Sequence, residues 1–193
     1  MNESIITTKD QNNTKLLIQQ AQKEDAQIIV NILSSALQYK VSHGDMVWGT
    51  EPYSSKKLLH NIKEGNTYIA RIGNIPVGTL TLLLEDEMIW GKQPPIATYV
   101  HKLAIKDGYH GRDLGKKLLD WASQQATNNG RSLLRIDFHY NNYGLRSYYE
   151  KLGFKLVEKN RKIHIPHRTT IALYERSTTK VPQYTMNDVI SHL

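Results

Sequence analysis

The chain has 193 residues, 39% hydrophobic and 22% charged, which suits one soluble domain with a sizeable core. It has no cysteine, which excludes disulfides, thiolate zinc sites and a cysteine nucleophile. Its net charge of +7 suits an anionic cofactor, whereas no basic run interleaved with aromatics points to nucleic acid and no apolar run is of membrane-spanning length.

Met1–Lys15 is polar and rich in Asn and Thr, so a disordered N-terminal tail is expected there, and nothing in it resembles a signal peptide. A cytoplasmic protein is the default expectation. Leu16-Leu17-Ile18 reads as a short strand. Ala26, Ile29, Val30, Leu33 and Leu37 then recur at helical spacing to about Tyr39. A loop comes next, Val41–Tyr53, carrying Met46, Trp48 and Tyr53. Ser54 or Ser55 opens a second helix with Leu58, Leu59 and Ile62 inward, and Gly65 ends it. Tyr68–Ile72 and Ile75–Leu82 flank Gly73-Asn74 as a hairpin. An acidic tip, Glu85-Asp86-Glu87, leads to Trp90 and the turn Pro94-Pro95.

Ile96–Ile105 is the central strand, and the chain is organised around the turn at its C-terminal end. Tyr109-His110-Gly111-Arg112-Asp113-Leu114-Gly115-Lys116-Lys117 is a short basic turn running straight into a helix, with Leu114, Leu118, Ala122 and Ala126 on one stripe. A helix start exposes unpaired N–H groups and the positive end of the dipole, so this turn favours a phosphate. Gly111 and Gly115 admit a close ligand, and His110, Arg112, Lys116 and Lys117 add donors. The turn is neither a Walker A loop nor a GxGxxG fingerprint.

Ser132–Tyr140 reads as the next strand, with Leu134, Ile136 and Phe138 on one face and Arg135, Asp137 and His139 on the other. Asn142–Leu152 is a short helix stopped by Gly153. Phe154–Lys159 and Thr169–Glu175 read as a closing antiparallel pair, joined by a basic linker. The expected organisation is one domain over residues 16–176, with residues 177–193 as a tail of unassigned role.

The order of elements, the basic turn and the segment Asn142-Tyr143-Gly144-Leu145-Arg146-Ser147-Tyr148-Tyr149-Glu150-Lys151-Leu152-Gly153-Phe154 resemble the GCN5-related N-acetyltransferases. The resemblance spans about Leu16 to Arg176. It implies an α/β (α+β) fold with a mixed, mostly antiparallel sheet, a splayed central strand pair and flanking helices. It also implies acetyl-CoA as co-substrate, and a small-molecule or peptide amine as acceptor. Dimers are common in that family, and a homodimer is compatible with the chain.

The family's cradle has a Gln/Arg-x-x-Gly-x-Gly/Ala core. Here the core is His110-Gly111-Arg112-Asp113-Leu114-Gly115, so His110 replaces Gln/Arg and Asp113 stands where glycine is expected. By resemblance, His110, Gly111, Arg112, Asp113, Leu114, Gly115 and Lys116 hold the pyrophosphate. The backbone of Leu103, Ala104 and Ile105 pairs with the pantetheine amides, and Asn142 contacts the cofactor arm. Tyr149 stands where the family protonates the departing thiolate, and a phenol has a pKa near that of a thiol. A backbone N–H near Leu103 serves the oxyanion.

The general base stays open among His101, Asp137, His139, Glu85–Glu87 and water. His101 is placed on the same parity as Tyr99, Leu103 and Ile105. Met46, Trp48, Tyr53 and Trp90 beside the acidic tip would suit a cationic amine. Two other readings remain: a non-catalytic CoA-binding or regulatory module on the same fold, and a basic nucleic-acid binder suggested only by charge.

Overall fold

The computed structural model describes residues 8–9, 15–42, 55–162 and 171–178. The expected loop residues Met46, Trp48 and Tyr53, most of the N-terminal tail, most of the basic linker and nearly all of the C-terminal tail lie outside them. The described strands are β1 (Thr8–Lys9), β2 (Lys15–Gln20), β3 (Thr67–Ile72), β4 (Ile75–Leu83), β5 (Ala97–Ile105), β6 (Leu133–His139), β7 (Lys155–Arg161) and β8 (Ile171–Ser177). The described helices are α1 (Ala26–Ser42), α2 (Ser55–Lys63), α3 (Glu87–Trp90), α4 (Leu114–Asn128) and α5 (Tyr143–Lys151).

The strands make one mixed sheet in the order β1-β2-β3-β4-β5-β6-β8-β7. Its described pairs are antiparallel except β5–β6. The N-terminal expectation needs correction: Thr8–Lys9 pairs with Leu16 and Lys15 as an edge strand, and Lys15 already belongs to β2.

Apolar residues on both faces fix the layers. The stripe Leu114, Leu118, Ala122 and Ala126 of α4 is buried against Leu80, Val100, Leu134 and Phe138. On the opposite face, Ile29 and Leu33 of α1 and Leu58 and Ile62 of α2 cover Ile69 and Ala104. A third cluster joins Ile89 and Trp90 to Ala97, Tyr99, Ile171 and Leu173. Each fully buried aliphatic side chain stabilises the fold by roughly 1.5–3 kcal/mol before entropy is counted.

Two features of β5 build the site. The first is an irregularity. Thr79 pairs with Ala104 and Thr81 with His101, so two steps along β4 match three along β5. The extra residue falls at Lys102, whose φ is +50°. Such a bulge reverses side-chain parity beyond it. Tyr99 and His101 therefore share one face, while Leu103 and Ile105 pack on the α4 face and Ala104 on the α1 face. This corrects the expected parity: His101 does not share a face with Leu103 and Ile105.

The second feature is a splay. The parallel pairing of β5 with β6 runs from Ala97↔Leu133 to Tyr99↔Arg135 and stops. From Val100 onward β5 pairs with β4 alone, and β6 continues against β8. A wedge opens between Leu103–Ile105 and Ile136–His139.

Candidate active site

The basic turn lies at the open end of β5. Gly108 and Gly111 take φ of +79° and +75°, and Asp113 takes φ +55°, ψ +15°. Asp113 thus adopts the left-handed backbone that a glycine would supply, which Asp tolerates better than most residues. The Asp113 side chain makes no cap hydrogen bond to α4. The N-cap side chain therefore does not tie up the first amides of α4. That is the state a phosphate-binding helix start requires, although the Asp113 carboxylate works against an anion there.

Around the turn, the His110 ring stacks on Tyr39 of α1, with centroids 4.7 Å apart. Arg112 lies over the Tyr109 ring at 4.9 Å. Lys116 Nζ donates to Asp120 Oδ2 at 2.6 Å on the next helical turn, so its charge is shared before any ligand arrives. Gly115 sits under Tyr148: a Cβ there would stand 2.6 Å from the Tyr148 hydroxyl. From sequence Tyr148 reads as a packing or rim residue, and no spacing signal ties it to the turn.

The wedge is flanked by α5. Asn142 is its N-cap, and Oδ1 accepts from the Leu145 N–H at 2.9 Å. Tyr149 packs between Phe138, at 5.3 Å, and Phe154, at 5.5 Å between centroids. Burial above all, then Tyr148 and the Asp137 carboxylate, raise the Tyr149 phenol above its ordinary value. The hydroxyl therefore stays protonated, and its match to a thiol is poorer than the sequence suggests.

The residues considered as bases do not behave alike. Of the acidic tip, Glu85 and Glu87 are exposed, while the Asp86 side chain turns inward and is 8% exposed. Asp86 Oδ1 caps α3 through the Ile89 N–H, and Oδ2 stands 3.1 Å from His101 Nε2. On the other side of the ring, His101 Nδ1 stands 3.5 Å from Asp137 Oδ1, and the Asp137 side chain is only 2% exposed. The bulge and the splay bring these three together. His139 is drawn off into the β6–α5 turn, where Nδ1 accepts from the Asn141 N–H at 3.3 Å.

Trp90 does not line an open pocket, as expected from sequence. It is 2% exposed, and its ring carries the Arg135 guanidinium at 4.5 Å. Arg135 donates as well to Glu175 Oε2 at 3.0 Å, Gln93 Oε1 at 3.0 Å and the Tyr99 hydroxyl at 3.1 Å. A cavity of about 470 Å³ lies elsewhere, lined by Gln20, Gln22, Lys23, Leu59, Lys63 and neighbouring residues. None of its lining comes from β5, β6 or the basic turn, so we place the chemistry at the wedge.

Solved structures share this architecture. A GNAT-family acetyltransferase of Listeria monocytogenes aligns over 89% of this chain and 99% of its own, with TM-score 0.73 and 16% identity. The PaiA N-acetyltransferase of Thermoplasma acidophilum, solved with coenzyme A, aligns over 84% and 98%, with TM-score 0.66 and 19% identity. YncA of Salmonella typhimurium, solved with its cofactor acetyl-CoA, aligns over 84% and 94%, with TM-score 0.62 and 14% identity. The overall fold is thus one that these acetyltransferases share.

The sequence carries the assignment further. The model of the Acetyltransferase (GNAT) family matches residues 27–154, and the chain belongs to that family. The uncharacterised N-acetyltransferase YesJ of Bacillus subtilis is 21% identical over 141 residues, covering 69% of this chain and 78% of its own. The protein is accordingly an acyltransferase, with acetyl-CoA as the family's co-substrate. Among the described residues, no helix is long and apolar enough to cross a membrane.

Proposed function

We propose that the protein transfers an acetyl group from acetyl-CoA directly to a primary amine of a small molecule or peptide. The observation that carries this is the wedge itself: β5 leaves β6 after Tyr99 and runs to a helix start whose N-cap side chain makes no cap hydrogen bond. Acetyl-CoA supplies the acyl group already activated as a thioester. The amides of Gly111 to Lys116 hold its pyrophosphate, assisted by His110 and Arg112. Leu103, Ala104 and Ile105 offer the pantetheine the backbone edge that β6 no longer pairs, and Asn142 Nδ2 donates to the same arm.

The bulge at Lys102 turns the backbone just before Leu103, so the Leu103 N–H serves the oxyanion as the amine attacks. The C–N bond forms, the C–S bond breaks, and the Tyr149 hydroxyl donates to the departing sulfur. Because burial keeps that phenol protonated, Tyr149 acts first as a hydrogen-bond donor to the developing thiolate.

The test is release of CoA thiol from acetyl-CoA in the presence of a panel of primary amines and N-terminal peptides. Amine-dependent release is expected, and Tyr149→Phe should lower it by about 10²-fold. Acetyl-CoA binding without transfer to any amine would favour the non-catalytic reading.

A further inference from the structure

The Asp86–His101–Asp137 cluster says more than that a base is near. The three residues come from the tip before α3, from β5 and from β6, and one ligand-type atom from each lies within 4.8 Å of the others. A neutral imidazole carries one N–H and one lone pair, whereas ionised carboxylates only accept. With an aspartate at each ring nitrogen, a neutral His101 must turn its lone pair toward one of them. The two flanks differ in alignment. His101 Nε2 and Asp86 Oδ2 are 3.1 Å apart, yet both are buried and neither makes a hydrogen bond. With the ring proton on Nδ1, toward Asp137, these two covered atoms are both acceptors, a costly arrangement until a donor bridges them.

A primary ammonium is such a donor: it is a cation with three N–H groups. Resting on the acetyl-transfer reading above, we propose that the acceptor enters this slot as a primary alkylammonium, bridging Asp86 Oδ2 and His101 Nε2, and that His101 takes its proton. Asp137 is a positioning residue, accepting the Nδ1–H and so presenting the Nε2 lone pair to the amine. Once protonated, the ring has an N–H toward a carboxylate on both sides. His101 is also two residues from Leu103 on the same strand, across the bulge, so proton acceptor and oxyanion donor are fixed on one short segment.

Over a turnover the ammonium loses two protons. One passes to His101 and on to solvent; the other accompanies the sulfur as CoA thiol. The N–C bond forms as the C–S bond breaks, and no oxidant or further reactant is needed. Because Nε2 and Oδ2 are covered, the Asp86 side chain swings outward with the otherwise exposed tip Leu84–Glu87 to admit the amine between them. Among the described residues, the charged or titratable groups facing the ring are Asp86 from the tip and Asp137 from β6, with Tyr149 of α5 acting on Asp137 from behind.

The experiment compares two probe amines. One is 1,5-diaminopentane, protonated at pH 7; the other is methoxyamine, largely unprotonated there. Both are assayed with wild type, His101→Gln, Asp86→Asn and Asp137→Asn between pH 6 and 9. For 1,5-diaminopentane, His101→Gln should lower kcat/KM by about 10²–10⁴-fold and Asp86→Asn should raise KM. Asp137→Asn should shift the pH profile. The loss on methoxyamine should be far smaller, and turnover of that amine also shows that each variant is folded. Equal losses on both amines would overturn the proposal and leave the transferase reading standing. Activity on 1,5-diaminopentane that needs added zinc and is abolished by chelator would also overturn it, by putting a metal in the slot. Wild type that acetylates neither probe nor any other amine would overturn the transferase reading and the proposal with it.

Discussion

Tyr148 closes over Gly115 at the start of α4, its hydroxyl standing where a side chain at residue 115 would have to go. A Cβ at 115 would meet that oxygen at 2.6 Å but the ring carbon behind it at 3.6 Å, an ordinary contact. Gly115→Ala should therefore push the Tyr148 hydroxyl aside and weaken acetyl-CoA binding. Tyr148→Phe removes the clashing atom, so Gly115→Ala/Tyr148→Phe should recover stability relative to Gly115→Ala. A coupling of about 0.5–3 kcal/mol is expected for such neighbours. Denaturant unfolding of the four proteins measures it, and additive effects would contradict the contact.

The bulge at Lys102 rests on a left-handed backbone, φ +50°, in a residue other than glycine. Lys102→Gly should fold at least as well as wild type, since glycine adopts that conformation without strain. Lys102→Val should lose about 1–2 kcal/mol, because a β-branched side chain is strained there. It should also lower kcat more than it raises KM, since the Leu103 N–H is re-aimed. Unfolding midpoints and steady-state kinetics on the two variants separate these effects.

Arg135 is a buried cation whose partners come from several segments. Its bonds to Glu175, Gln93 and Tyr99 and its seat on Trp90 hold the closed end of the wedge, where β5 and β6 still pair. Arg135→Ala should cost about 3–5 kcal/mol, as breaking a buried pair does. Glu175→Gln should cost about 1 kcal/mol, because that partner is 28% exposed and can be rehydrated. Urea unfolding of both variants checks the ranking.

Alkaline pH should unfold the protein through its tyrosines. Burial first, then the hydrogen bond to Glu150, pushes Tyr174 up to about 12, and Tyr149, Tyr148 and Tyr68 are raised chiefly by burial. A phenol whose pKa is higher folded than unfolded holds its proton more tightly in the native state. Its contribution is intact below the unfolded value of about 10 and disappears as pH rises through the folded one. The thermal midpoint should change little from pH 8 to 9.5 and then fall steeply between pH 10 and 12. Tyr174→Phe should flatten part of that fall.

Much of this fold can be read along the chain. The α4 stripe, the Gly73-Asn74 hairpin and the alternation along β6 are local periodicities, and local periodicity survives into the structure. The site is less legible. Parity counting puts His101 with Leu103 because one extra residue in β5 is invisible without its β4 partner. Nothing in Glu85-Asp86-Glu87 shows that only the middle carboxylate turns inward. Trp90 looks like a pocket residue because its cation, Arg135, lies 45 positions away in sequence. Residues that meet across a splay or a bulge leave no spacing for a sequence to display.

In the proposed complex the start of α4 holds the pyrophosphate of acetyl-CoA despite Asp113. Calorimetric titration of acetyl-CoA into wild type and Asp113→Gly tests it most directly. Wild type should bind with a micromolar Kd. The glycine variant should bind tighter, because it keeps the left-handed backbone and removes the carboxylate. An absence of binding in both proteins would contradict the account.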